Sequence, residues 1–129
     1  LPYRVTEALR EYNCGVLEGQ SGEASWRLHC QFYEDWTIRH HYTSKPEGGE
    51  SFIDIQNRFL PFIESLKRND DEDILLVGHG GLFHLMLPLI LNNVDDDFLD
   101  SHGIGHTECI VAELQTDGFK CLQWGDAQF

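Results

Sequence analysis

Two short runs carry residues that could do chemistry. The first is Gly78-His79-Gly80-Gly81, set between the apolar run Ile74 to Val77 and the apolar stretch Leu82 to Leu91. That order reads as strand, tight corner, helix. In open α/β sheets, ligands bind beyond the carboxyl ends of strands, and a helix starting there aims free N–H groups and its positive dipole end at the same point. Glycines let the backbone approach a bound anion, and an imidazole at the corner adds a donor that a phosphoryl group can use. The same residues would serve equally as a tight corner whose histidine caps the helix, and the motif alone leaves both readings open.

The second run is Leu9-Arg10-Glu11-Tyr12-Asn13-Cys14-Gly15-Val16-Leu17-Glu18-Gly19, two carboxylates in a glycine-bounded loop. A carboxylic acid held near a phosphate can protonate a leaving alkoxide, provided burial or nearby negative charge raises its pKa. Taken alone, a loop glutamate is usually solvated, and Glu18 is better suited to accepting loop hydrogen bonds than to chemistry.

Other chemistries find no footing. No cysteine is followed six residues later by arginine, and there is no G-x-x-x-x-G-K-[ST] phosphate cradle. Gly19-Gln20-Ser21-Gly22-Glu23 misses the nucleophile elbow, because Glu23 stands where its second glycine should be. His79 and His84 are five apart and do not share a helix face as the histidines of H-E-x-x-H do, so no metal or cofactor is expected.

Several elements must position these runs. Tyr3 to Thr6 is a candidate strand leading into the loop Glu11 to Gly22. Glu23 to Trp36 reads as an amphipathic helix with Trp26, Cys30 and Tyr33 on one face. There Trp26, Phe32, Tyr33 and Trp36 are expected to pack the helix onto the core rather than line a pocket. His40 to Gly49 is a loop. Ser51 can cap a helix whose stripe is Phe52, Ile55, Phe59, Phe62, Ile63 and Leu66, with a kink near Asn57 expected from Pro61. Asp70 to Asp73 reads as a solvated turn. Asp73 to Gly78 is then a strand buried on both faces, and Leu82 to Leu91 a helix bent or ended by Pro88. Glu108 to Leu114 and Phe119 to Trp124 form a hairpin around Asp117-Gly118. Together these predict one α/β domain over 1–129, helices flanking a mixed sheet.

Composition narrows the partners. Nine Lys and Arg against 22 Asp and Glu leave a net charge of −13, which disfavours nucleic acid and membrane surfaces. A hydrophobic share of 41% is that of a folded globule rather than an acidic tail. Cys14, Cys30, Cys109 and Cys121 show no C-x-x-C pair, as expected of buried or half-buried thiols in a reducing cytoplasm. No signal peptide is evident, and the longest apolar run, Leu85 to Leu91, is too short to span a bilayer. The chain opens Leu1-Pro2-Tyr3 and its single methionine is Met86, so its start is not expected to mark a domain boundary.

Taken together, the motifs resemble the histidine phosphatase superfamily, which includes the phosphoglycerate mutases. The resemblance lies in Leu9-x-Glu11-x-x-x-Gly15-x-x-Glu18-Gly19, in Gly48-Gly49-Glu50-Ser51 followed by Arg58, and in Leu75-Leu76-Val77-Gly78-His79-Gly80-Gly81, all in the family's order. It implies a phosphoglycerate mutase-like α/β fold and a small phosphorylated substrate, handled through a phosphohistidine. Residue by residue, it implies that Glu11 protonates the leaving group and later activates water. His79 would donate to the phosphoryl oxygens, and Gly80 would let the backbone approach the phosphate. His106-Thr107 would pass near the site, with Thr107 as a contact.

The family's nucleophilic histidine belongs to an Arg-His-Gly motif that this sequence does not contain, and the family's second active-site arginine is missing with it. Arg4 and Arg10 stand at other positions, and His40, His41, His84, His102 and His106 have no match as nucleophiles. The chain is therefore expected to be the carboxyl-terminal part of a family domain, with 20–48 as a short cap that favours a phosphatase over a mutase. Alone it is expected to be inactive and to self-associate or retain a companion fragment, because loss of a central strand would expose apolar surface beside Ile74 to Val77. The contrasting expectation is a phosphate-binding module without turnover.

Overall fold

The computed structural model describes residues 2–69 and 72–129. The chain divides into two compact units, Leu1–Phe62 and Ile63–Phe129.

The first unit begins without a strand. Tyr3 and Val5 are 91% and 83% exposed, and Thr6 instead caps a 3-10 turn, Glu7–Leu9, its Oγ1 accepting from the Ala8 N–H at 3.2 Å. The residue types at 3–6 favour extended backbone, but a strand also needs a partner for its N–H and C=O groups, and no described residue supplies one. A second 3-10 turn, Gly15–Leu17, follows, then α1 (Glu23–Thr37) and, after a loop, α2 (Phe52–Leu66).

Helix α1 is amphipathic as expected, and of the rings expected to pack it onto the core Trp36 does so while Trp26 does not. Trp36 is 3% exposed and donates its indole N–H to the Ser44 carbonyl at 2.7 Å, whereas Trp26 is 66% exposed. Trp26 stacks on His29 at 5.5 Å between ring centroids, and His29 on Tyr12 at 5.9 Å. The ring that periodicity sends to the core therefore forms the outer end of an aromatic stack. Helix α2 starts with a reciprocal cap: Ser51 Oγ accepts from the Asp54 N–H at 3.1 Å, and Asp54 Oδ2 accepts from the Ser51 N–H at 2.9 Å. Ile55 and Phe59 are fully buried, each side chain contributing roughly 1.5–3 kcal/mol relative to exposure. The helix continues through Pro61.

In the second unit, α3 (Gly80–Ile90) likewise runs past Pro88 and buries Leu82, Leu85 and Met86. A short helix that periodicity did not reveal, α4 (Asp96–Ser101), is capped by the Asp95 carboxylate accepting from the Phe98 N–H at 2.9 Å. The hairpin forms as expected: β1 (Ile110–Gln115) pairs antiparallel with β2 (Gly118–Trp124), and β3 (Ala127–Gln128) adds to β2. The three-stranded sheet has the order β1-β2-β3, and among the described residues its only parallel neighbour is a single bridge between Leu91 and Phe119. Leu91, Val94, Leu99, Cys121 and Trp124 make the core beneath it.

The expected buried strand at 73–78 does not form. Ile74, Leu75 and Val77 are 44%, 83% and 79% exposed, and no described residue forms a ladder with them. A continuous apolar run encodes a strand covered on both faces, and it becomes one only where neighbouring strands exist. The expected solvated turn at Asp70 to Asp73 lies partly outside the described residues, at 70 and 71.

Candidate active site

Glu11 is half-buried, on the loop between the 3-10 turn Glu7–Leu9 and Gly15. Its Oε1 accepts from the N–H of Tyr12 at 3.1 Å. The loop is laced to residues 47–50: Val16 N–H donates to the Glu47 carbonyl at 2.9 Å, and Glu50 N–H to the Asn13 carbonyl at 2.8 Å. The approach is so close that a Cβ on Gly49 would stand 2.7 Å from the Asn13 carbonyl oxygen. Only glycine fits there, which gives the Gly48-Gly49-Glu50-Ser51 motif its physical reason. Glu18 behaves as its position suggests, accepting from the Cys14 N–H at 2.8 Å.

The groups around Glu11 resist ionisation. Burial, then the negative charge of Glu11, pushes the Tyr33 phenol up to about 12. Burial likewise raises Tyr12 above its ordinary value, with charge at Cys14 and Glu11 adding to it. The Cys14 thiol is pushed up to about 11 by burial and by the Glu18 and Glu11 carboxylates. Glu11 thus sits among neutral phenol and thiol groups that feel its charge. A cavity of about 10 Å³ beside Tyr12, Cys14, His29 and Trp36 holds a water at most, far less than a metabolite needs.

A residue that the sequence motifs left without a role organises this loop. Arg58, on α2, donates from Nε and Nη2 to the two oxygens of Glu50 at 2.7 and 3.1 Å, and from Nη1 to the carbonyls of Glu7 and Ala8 at 3.2 and 3.0 Å. Burial of Glu50 opposes its ionisation, but the hydrogen bonds from Arg58 and the Asn13 N–H, with the charges of Arg58 and Arg10, outweigh it. Its pKa stays below the ordinary glutamate value. Arg58 and Glu50 are 8 positions apart, and Arg58 and Ala8 are 50, so no local period points to the arrangement.

In the second unit, His79 is exposed and occupies the N-cap of α3 with extended backbone, φ −123° and ψ 146°. Its side chain makes no capping hydrogen bond, so the imidazole is not spent on the helix. Its carbonyl accepts from the Phe83 N–H at 3.0 Å, and the Phe83 ring folds back so far that a Cβ on Gly78 would meet it at 2.6 Å. Gly80 is exposed, and a Cβ there would stand 3.8 Å from the Ile104 carbonyl oxygen, which brings the loop 103–108 beside the start of α3. On that loop Thr107 has φ +61°, a costly conformation for a β-branched residue, and its hydroxyl donates to the His106 carbonyl at 2.6 Å. The structure therefore brings Gly80 and the Thr107 loop together in one unit, and places Glu11 in the other.

No group of three or more His, Cys, Asp or Glu among the described residues is arranged to hold a metal ion. No described helix is long and apolar enough to cross a membrane. All four cysteines are free thiols, with Cys109 exposed, Cys14 and Cys30 half-buried and Cys121 buried.

Comparison with known proteins gives the class of the protein. The family model of the histidine phosphatase superfamily (branch 1) matches residues 1–127, and the chain belongs to that superfamily. A relative from Hydrogenobacter thermophilus, named "putative phosphoserine phosphatase 2", is 27% identical over 107 residues, covering 78% of this chain and 51% of its own length. The chain thus spans about half the length of the curated relative it matches. Two solved structures share the fold. "Mycobacterial hydrolase 1" has a TM-score of 0.64 at 23% identity, covering 98% of this chain and 64% of its own. A mycobacterial glucosyl-3-phosphoglycerate phosphatase in complex with inorganic phosphate has a TM-score of 0.62 at 20% identity, covering 96% and 65%. The phosphoglycerate mutase-like α/β class expected from the motifs is the fold of the molecule.

Proposed function

We propose that the protein is a phosphomonoester hydrolase acting on a small phosphorylated metabolite through a phosphohistidine. Glu11 is the proton donor in this reading, and His79 and Gly80 are phosphate-binding residues. The family match across residues 1–127 carries it, because that match takes in both the Glu11 and the His79 motifs. An imidazole nitrogen attacks phosphorus, the P–O bond to the alcohol breaks, and the Glu11 proton passes to the departing oxygen. The resulting carboxylate then takes a proton from water, whose oxygen attacks phosphorus and breaks the P–N bond to release inorganic phosphate. The His79 imidazole and the N–H groups at the start of α3 offset the charge on the non-bridging oxygens, with Thr107 as a contact.

Local structure supports these assignments. Glu11 is half-buried, its Oε1 accepting from the Tyr12 N–H at 3.1 Å, on a loop held by backbone hydrogen bonds to residues 47–50. His79 is exposed and free of a capping role. No Arg-His-Gly occurs in the sequence, so the attacking imidazole comes from outside these 129 residues. The same fact favours a phosphate-binding module without turnover as the second reading, while the shortness of segment 20–48 speaks for hydrolysis over mutase-type transfer. We read the exposed Ile74, Leu75 and Val77 as surface that a second copy or a companion fragment covers, and the free thiols as those of a cytoplasmic protein.

The test is hydrolysis of p-nitrophenyl phosphate in EDTA by the protein expressed from its natural coding region. Glu11→Gln and His79→Ala are expected to lower kcat about 100-fold or more each. Parental kcat in both variants would overturn the assignment, and absence of turnover with retained phosphate binding would establish the second reading.

A further inference from the structure

The reaction as proposed gives no part to the Arg58–Glu50 ion pair, yet the pair is joined to the chain on both sides of Glu11. Arg58 Nη1 donates to the carbonyls of Glu7 and Ala8, before Glu11, at 3.2 and 3.0 Å. Glu50 Oε1 accepts from the N–H of Asn13, after Glu11, at 2.8 Å, and Glu50 N–H donates to the Asn13 carbonyl at 2.8 Å. Guanidinium and carboxylate are joined at 2.7 and 3.1 Å, their side chains only 16% and 14% exposed. Arg10 adds a looser contact to Glu50 at 3.5 Å. Ala8 to Asn13 is thus a short span tied at both ends to one two-point pair.

We propose that Arg58 and Glu50 are positioning residues for Glu11, setting the direction in which its carboxyl faces; this rests on the proton-donor role given to Glu11 above. As a device for stability the pair is a poor choice, since apolar residues of like volume commonly do as well. Its worth lies in direction. A planar fork fixes carboxylate and carbonyl partners in angle as well as distance, and a reacting carboxyl must be held within about 0.5 Å of its working place. The two ends of the span come from opposite sides of the pair, so loss of either partner frees one end. Lysine would keep the charge at 58 but could not hold Glu50 at two points while also reaching two carbonyls.

The Tyr12 amide, which donates to Glu11 Oε1 at 3.1 Å, is a built-in reporter of that carboxylate. In ¹⁵N-labelled chain its proton shift is expected to move with pH as Glu11 titrates, and Glu11→Gln, which abolishes the movement, assigns it. Arg58→Ala and Glu50→Gln are expected to reduce the movement about threefold or more, and Arg58→Lys to give an intermediate value, with the amides of Phe59 and the β1–β2 hairpin unchanged. If Arg58→Ala does not fold, Arg58→Lys and Glu50→Gln decide. Parental movement in both overturns the clamp. In the hydrolysis assay, Arg58→Lys and Glu50→Gln are expected to lower kcat about tenfold with KM unchanged. Unchanged kcat in these variants, with Glu11→Gln inactive, overturns the clamp alone. Parental activity in Glu11→Gln overturns the proton-donor reading, and leaves the clamp to be judged on the Tyr12 amide.

Discussion

The Glu11 loop and the segment leading to His79 carry the two halves of the proposed chemistry, and they are built in opposite ways. Residues 7–16 have little regular structure, yet their backbone is tied down by Arg58, Glu50 and Glu47. Residues 73–78 have the composition of the best strand in the chain, yet stand exposed, with Leu75 at 83% and Val77 at 79%. Local propensity is thus a poor guide to order here. Order follows the partners, and partners are set by residues far away in sequence.

This contrast can be broken by substitution. The largest expected effect is at Phe59, fully buried on α2, where Phe59→Ala should cost about 3–5 kcal/mol in urea unfolding. Leu75→Ser, in contrast, should change stability by no more than about 0.5 kcal/mol. Its consequence should appear in sedimentation instead, as weaker self-association at a given concentration, if the exposed apolar run is what a second copy covers. A loss at Leu75 as large as that at Phe59 would mean that the run is buried in solution.

Next in size is a pair of glycines. Gly49→Ala would push a methyl group against the Asn13 carbonyl at 2.7 Å, and should cost about 1–3 kcal/mol. Gly103→Ala meets nothing within 4 Å and should be neutral, or stabilising by up to about 1 kcal/mol. Equal costs at the two sites would show that the loop 47–50 is not packed against residues 13–15.

A smaller effect separates the two helix starts. Ser51→Ala removes a hydroxyl that caps α2 and should lose about 1 kcal/mol. His79→Ala removes a side chain that caps nothing, so α3 should keep its thermal unfolding midpoint while phosphate binding weakens.

The smallest effect is acid sensitivity. Glu50 ionises below its ordinary value when folded, so its contribution is complete above the unfolded value of about 4.3 and is lost as pH falls through the folded one. Glu50→Gln should flatten this part of the pH–stability curve, as measured by urea midpoints between about pH 6 and about pH 3. An unchanged curve would mean that Arg58 does not hold the carboxylate in solution.

How much of this was legible in the sequence follows the same division. Period and capping residues identified α1, α2, α3 and the β1–β2 hairpin, because those elements satisfy their backbone groups locally or with a near neighbour. The candidate strands at 3–6 and 73–78 did not form, since a strand is only half specified by its own residues. Helix α4 is too short for periodicity to reveal, and its signal is a cap alone: Asp95 stands where an N-cap belongs, and Asp96 and Asp97 follow in the first turn. Arg58 and Glu50 were visible as family motif residues, but their purpose required contacts across 50 positions.

The proposed reaction has the Glu11 and His79 motifs serve one phosphoryl group. Titration of inorganic phosphate into the ¹⁵N-labelled chain tests it directly. Saturable movement of the Gly80 and Gly81 amides together with that of Tyr12 is expected, all weakened by His79→Ala. Movement at Gly80 and Gly81 with a silent Tyr12, or no saturable movement at all, would contradict it.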